Sequence, residues 1–165
     1  MINRLVIIGM LAFLCQAFAC TDLGTEPPVN VIVWNSSVDG VRLGDDSATV
    51  IRKLGPANYI TIGDFAGYIL FYSSGPHAGL SVTIWTRQTT WGIGTRSIGV
   101  SAPYAGTTKD GIGLGSTQEQ VRGIIGSPTR SLDSQDEYLE DAQRTIVRYT
   151  NGKITSIVLI DPEPS

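Results

Sequence analysis

Asp39-Gly-Val-Arg-Leu-Gly44, then Val50, then Leu54-Gly55-Pro56 is answered further along by Asp110-Gly-Ile-Gly-Leu-Gly115, then Val121, then Ile125-Gly126-Ser-Pro128. Asp, Gly, Leu, Gly, Val and Gly recur with a constant shift of 71 positions, from 39 to 110 and from 55 to 126 alike. Downstream the correspondence continues with a shrinking shift: Tyr68 against Tyr138, Ile84 against Tyr149, Ile98 against Ile157. A one-way drift is what a second copy with shorter loops would give, and chance matches do not drift. The stretch therefore reads as half of an internal duplication.

Each copy opens on a short helix. In the second, Ser116 with Glu119 has the spacing of a capping box, Val121, Ile124 and Ile125 form an apolar stripe, and Gly126 followed by Pro128 ends it. In the first, Asp45 caps, Val50, Ile51 and Leu54 form the stripe, and Gly55-Pro56 closes it. Helices this short do not stand alone in water, so they must pack on something. That something is sheet. Tyr68 to Tyr72, Leu80 to Thr86 and Thr95 to Val100 are rich in β-formers, and Thr145 to Tyr149 joins Lys153 to Ile160 through Asn151-Gly152, a hairpin signal. Asp136 to Glu140 fits either a helix capped by Ser134 or, by alignment of Tyr138 with Tyr68, a short strand, which is preferred. The expectation is an α+β fold of two tandem repeats, 31–105 and 106–165, each a short helix followed by about three antiparallel strands.

Gly115, Ser116, Glu119, Val121, Ile125, Gly126 and Pro128, and less faithfully Gly44, Asp45, Val50, Leu54, Gly55 and Pro56, resemble the helical motif of the SmpA/OmlA family, small outer-membrane lipoproteins of the β-barrel assembly machinery. The tandem arrangement is similar to the wider β-lactamase-inhibitor-protein-like fold. The resemblance implies a protein-binding or scaffolding module rather than a catalyst. The assembly lipoproteins carry one such copy and the inhibitor proteins hold theirs with disulfides, so neither specific activity follows from it.

The first residues read as an export signal. Met1 to Arg4 is short with one positive charge, Leu5 to Leu14 is an unbroken apolar run, and Ala17 and Ala19 place small residues before Cys20. Residues 1–19 are expected to be removed. Cys20 then becomes the lipidation site of a bacterial lipoprotein, diacylated at its thiol before cleavage, although Ala-Phe-Ala would serve the ordinary signal peptidase equally. Residues 20–30, polar and containing Pro27-Pro28, form a tether. The expected location is the bacterial cell envelope, lipid-anchored at the outer membrane or the periplasmic face of the inner membrane, with secretion as the alternative.

Composition removes several chemistries. Twelve Lys and Arg against 15 Asp and Glu give a net charge of −3 and no basic field for nucleic acid. One histidine in the chain precludes a multi-histidine metal site, and two cysteines build no disulfide framework. Gly111, Gly113 and Gly115 lack the spacing and the Lys-Ser/Thr of a phosphate loop and read as turn glycines. His77, in Ser73-Ser-Gly-Pro-His-Ala-Gly79, reads as a solvated turn residue. Asp133, Asp136, Glu137, Glu140 and Asp141 lack the calcium-loop pattern and read as a solvated acidic loop or edge. No metal and no small-molecule cofactor is expected.

Strand alternation supplies a candidate partner face. Leu80, Val82 and Ile84 point one way, so Ser81, Thr83, Trp85 and Arg87 point the other. Ile157 and Leu159 take the inward positions of the second copy, which turns Val158 and Ile160 outward, and Trp91 sits in the adjoining turn. Trp85, Arg87, Trp91, Val158 and Ile160 then either bind a partner or, for Trp85 and the second patch, bury each other as the copies pack. The leading reading is a non-enzymatic envelope lipoprotein that binds another envelope protein. The alternatives are a secreted enzyme inhibitor or immunity-type protein, and a hydrolase that uses the carboxylates.

Overall fold

Two registered rows of side chains run across the largest sheet and decide what each of its faces does. One row is Leu70, Val82, Ile98, Leu159, Thr145 and Tyr138, neighbours in successive strands and all buried. The adjacent row on the opposite face is Ile69, Thr83, Ser97, Ile160, Arg144 and Leu139, none of them buried. Alternation of this kind makes a half-covered antiparallel sheet.

The computed structural model describes residues 29–63, 67–89 and 92–161. The expected signal peptide, Cys20 and the tether as far as Pro28 lie outside them, as does Trp91. In chain order the elements are β1 (Ile32–Val33), β2 (Ser37–Val38), β3 (Val41–Arg42), α1 (Ser47–Leu54), β4 (Tyr59–Ile62), β5 (Gly67–Tyr72), β6 (Leu80–Thr89), β7 (Gly92–Ser101), α2 (Gln118–Ile125), β8 (Arg130–Leu132), β9 (Gln135–Glu140), β10 (Gln143–Thr150) and β11 (Lys153–Ile160). The first three strands form a small sheet in the order β1-β2-β3, and the other eight form one antiparallel sheet in the order β4-β5-β6-β7-β11-β10-β9-β8.

This overturns the expected α+β fold of two helix-plus-three-strand repeats. Among the described residues strand dominates, the helices are two elements of eight residues, and the long strands belong to one continuous sheet joined through β7 and β11. Ser156 pairs with Ser101 and Ile160 with Ser97, so the strands of 31–105 and 106–165 share one hydrogen-bonded ladder. The small sheet β1–β3 has no counterpart among the named strands between β7 and α2. Sequence periodicity also cut the central strands short: β6 runs on past Thr86 to Thr89, and β7 begins at Gly92 rather than Thr95.

The helices pack as their apolar spacing requires, with adjustments at the ends. Val50, Leu54 and Val121 are buried in the core that the sheet's inner face forms with Ile32, Val38, Val41 and Ile112. Ile51 and Ile124, placed in the stripes from sequence, are instead about half exposed, and Ile125 is half-buried. Eight residues bring a narrower stripe to the sheet than the pattern suggests. The N-cap of α1 is Asp46, which accepts from Thr49 N–H at 2.7 Å; Asp45 instead accepts from Arg42 N–H and pairs with Lys53 at 2.7 Å. In α2 the capping box is Thr117 with Gln120, one residue beyond the Ser116 and Glu119 expected. The Asn151-Gly152 turn has both residues at positive φ, as a tight hairpin requires, and Asp136 to Glu140 is strand.

Candidate functional site: the groove around Trp34

Trp34, Asn35 and Ser36 form the tight turn between β1 and β2, closed by Ser36 N–H donating to Val33 O. Asn35, at φ 50, ties the turn to the far part of the chain: its Nδ2 donates to Glu140 Oε2 at 3.0 Å, and its Oδ1 accepts from the Thr145 hydroxyl. The Trp34 ring meets Tyr138 edge-on, centroids 5.2 Å apart and planes 79° to each other. Burial pushes the Tyr138 hydroxyl up to about 12, so it stays protonated through any physiological range.

Behind the turn, Asp39 fixes β1. Its fully buried carboxylate accepts from Val31 N–H at 2.9 Å and from the Tyr104 hydroxyl at 2.8 Å, and pairs with His77 Nδ1 at 2.6 Å. His77 is therefore not the solvated turn residue expected. It is 6% exposed and also meets the edge of Tyr72. Burial, together with the neighbouring Asp39 charge, pushes the Tyr104 phenol well above its ordinary range. The trio is closed to solvent and acts as a structural clamp joining β2 to the β5–β6 loop and to the segment after β7.

Asp136 does the same on the other side of the groove. It accepts from Arg122 at 2.7 and 3.0 Å, from the Ser131 hydroxyl at 2.8 Å, from the Tyr149 hydroxyl at 3.2 Å and from Gln118 at 3.3 Å. Burial alone would raise this carboxyl. The hydrogen bonds from Arg122, Ser131 and Gln118 outweigh it and hold the group below 3.8. Of the acidic stretch expected to be solvated, Asp136 is thus fully buried, Glu137 is half-buried, and Asp133, Glu140 and Asp141 are exposed. The ties from Arg122 and Gln118 fix α2 and, with it, Ile124 and Ile125.

Three hollows of about 490, 460 and 360 Å³ surround Trp34, which lines all of them. The first lies between β1 and the Thr107–Asp110 segment, the second between Ile124, Ile125, Tyr138 and Leu139, and the third beside Glu140 and Asp141. Shared lining residues make them one groove. Its apolar walls are open to solvent: Val33 is 48% exposed, Ile124 49% and Leu139 54%. Its ends are polar, with Lys109 and Asp110 at one and Glu140 and Asp141 at the other. An aromatic floor, apolar walls and charged ends can hold a side chain or a peptide segment by shape and desolvation. Among the described residues no group of three His, Cys, Asp or Glu side chains converges as a metal site.

Of the partner residues expected from sequence, Trp85, Val158 and Ile160 lie elsewhere, half-buried on the outer face of the large sheet. Trp85 is registered with Gly94, Val158 with Gly99 and Ile160 with Ser97, so they flank β7 on one continuous surface. They do not bury each other across an interface between copies. The Arg96 guanidinium lies 4.9 Å from the Trp85 ring centroid, a cation–π contact the sequence did not signal. Arg87 falls within β6, and Trp91 and Cys20 lie outside the described residues. Sequence reasoning passed over Trp34 altogether. Its signal was the run Val29 to Trp34, apolar at every position but Asn30 and set directly after Pro27-Pro28.

No family model matches the chain, and no curated protein is similar to it at a significant level. Solved structures are similar. An extracellular protein containing a SCP domain from Bacillus anthracis str. Ames superposes with a TM-score of 0.57 at 12% identity, covering 72% of this chain and 44% of that one. A cysteine-rich secretory protein from Staphylococcus aureus subsp. aureus Mu50 gives 0.52 at 11% identity, with the same two coverages. A DUF4309 family protein from Bacillus subtilis subsp. subtilis str. 168 gives 0.49 at 14% identity, covering 73% of this chain and 82% of that one. The chain thus spans less than half the length of the first two proteins, and at such identities the likeness is one of fold.

Proposed function

We propose that the chain is a non-enzymatic protein-binding module that works outside the cytoplasm, held to a bacterial membrane by a lipid on Cys20, and that the Trp34 groove receives another envelope protein. The observation that carries this reading is the groove itself: an indole with open apolar walls, set on a turn that Asn35 ties to β9 and β10 and that Asp39 backs through Val31, His77 and Tyr104. Aromatic anchors on a rigid frame are the usual centres of protein interfaces. Two proteins of similar fold are described as extracellular and as secretory, which agrees with export. The anchor rests on the sequence before Cys20, and the tether that follows would let the folded part stand off the bilayer.

A photo-crosslinking residue at Leu139, in the wall of the groove, tests the binding seat in intact cells. It should capture one envelope protein, and Trp34→Ala in the same chain should abolish the capture. A second seat is supported by Trp85, Val158 and Ile160, which lie together on one sheet face. Capture from Val158 but not from Leu139 would move the site there. Intact mass of the mature protein tests the anchor: a Cys20 terminus without acyl chains would refute it and favour the secreted inhibitor reading.

A further inference from the structure

Among the described residues the large sheet ends in two edge strands, and they differ in how far they resist pairing. β8 is three residues long and carries Arg130, whereas β4 reads Tyr59-Ile60-Thr61-Ile62, with neither charge nor proline. An edge strand without such protection is a template for another strand. Ile60 is 58% and Ile62 90% exposed, and pairing of Ile60 with Leu70 puts both on the face that elsewhere forms the core. They continue the apolar inner surface past the last strand.

The backbone specifies what fits. Gly63 N–H donates to Gly67 O, so by the alternation of an antiparallel ladder Thr61 and Tyr59 also turn their N–H and C=O towards β5. Ile60 and Ile62 turn theirs to the open edge. A second β4 related by a twofold axis perpendicular to the sheet, centred on Thr61, satisfies them all. Ile60 of one copy then exchanges both backbone hydrogen bonds with Ile62 of the other, and the reverse pair does the same by symmetry. Faces match in this register: Ile60 lies beside Ile62, Thr61 beside Thr61, and Tyr59 over Gly63, which has no side chain to obstruct it. Centring on Ile60 instead would ask Ile62 to pair with Asn58, whose N–H already donates to Phe71 O. Like charges, the usual obstacle to self-pairing, are absent from the strand.

We infer that a second copy of this chain docks antiparallel on β4, joining the two large sheets into one. The full chain is studied by sedimentation over a dilution series. A reversible dimer is expected, with amide exchange at Ile60 and Ile62 slowed only where the dimer is populated. Ile60→Pro removes an outward N–H and leaves the ladder to β5 intact. It should raise the dimer dissociation constant about tenfold or more without moving the circular dichroism spectrum. Thr61→Lys and Thr61→Glu place like charges opposite each other across the twofold, so each alone should be monomeric and the mixture should recover a one-to-one dimer. A monomer at every concentration, a dimer indifferent to both substitutions, or Ile60 and Ile62 amides protected in the monomer by another part of the chain would each overturn the inference. The charge-pair experiment keeps it falsifiable should Ile60→Pro unfold.

Discussion

Asp136 concentrates the charge chemistry of this protein in one residue. Its partners come from α2, β8 and β10, and all of them donate to the ionised form. Because its folded value lies below the ordinary 3.8, the unfolded chain takes up the proton first as acid is added. The contribution is therefore complete above the ordinary carboxylate range and is lost as pH falls through the depressed folded value. Asp136→Ala should cost about 2 kcal/mol or more near neutrality and flatten the acid limb of a stability–pH profile measured by denaturant melts. An unchanged acid limb would assign the acid sensitivity to other groups, such as Asp46, which the backbone N–H of Thr49 lowers in the same sense. Neither buried carboxylate was legible in the sequence. Asp136 stands among other acidic residues, and Asp39 meets His77 and Tyr104 only across separations of 38 and 65 residues.

At the scale of elements, each helix contributes one small cluster to the core. Val50→Ala and Val121→Ala should each cost about 2 kcal/mol, while Ile51→Ala and Ile124→Ala should change stability little. Chemical denaturation of the four variants checks the pattern, and equal losses at all four would mean that the helices pack more deeply than their exposures show. These elements were the most legible part of the chain, since Gly44 and Gly115 share a φ of +87° and Gly55 and Gly126 close both helices. Each cap was misplaced by one residue because neighbouring side chains fit the same spacing: Asp45 beside Asp46, and Ser116 beside Thr117. The punctuation also misled. Glycines and caps mark helices strongly for their length, whereas β8 (Arg-Ser-Leu) reads like a loop, and β4, although built of β-formers in Tyr59-Ile60-Thr61-Ile62, is only four residues long and was passed over between the helix end and Gly63. A motif repeated in sequence says nothing about whether the strands beside it stop at the repeat boundary, and here they do not.

For the whole molecule, the groove at one side and the sheet running away from it set the predictions. Leu139→Asp removes an apolar wall that is more than half exposed, so the thermal midpoint should hardly move while capture of the partner at the Trp34 groove is lost. If capture survives, the groove is not the seat. The candidate site was illegible because its walls come from β1, α2 and β9, which only the folded sheet brings together around Trp34. The junction of β7 with β11 has a further consequence, in time rather than in space. The hairpins β5–β6–β7 and β9–β10–β11 close between neighbours in the chain, but Ser101 meets Ser156 only after α2 and three strands have been accommodated between them. Loop-closure entropy disfavours that seam until the local hairpins are in place, so it is expected to form late, after the folding barrier has been crossed. Weakening it with Ile157→Val should thus accelerate unfolding and leave the refolding rate nearly unchanged, and it is by this middle pairing, with its edges still intact, that the sheet would come apart first.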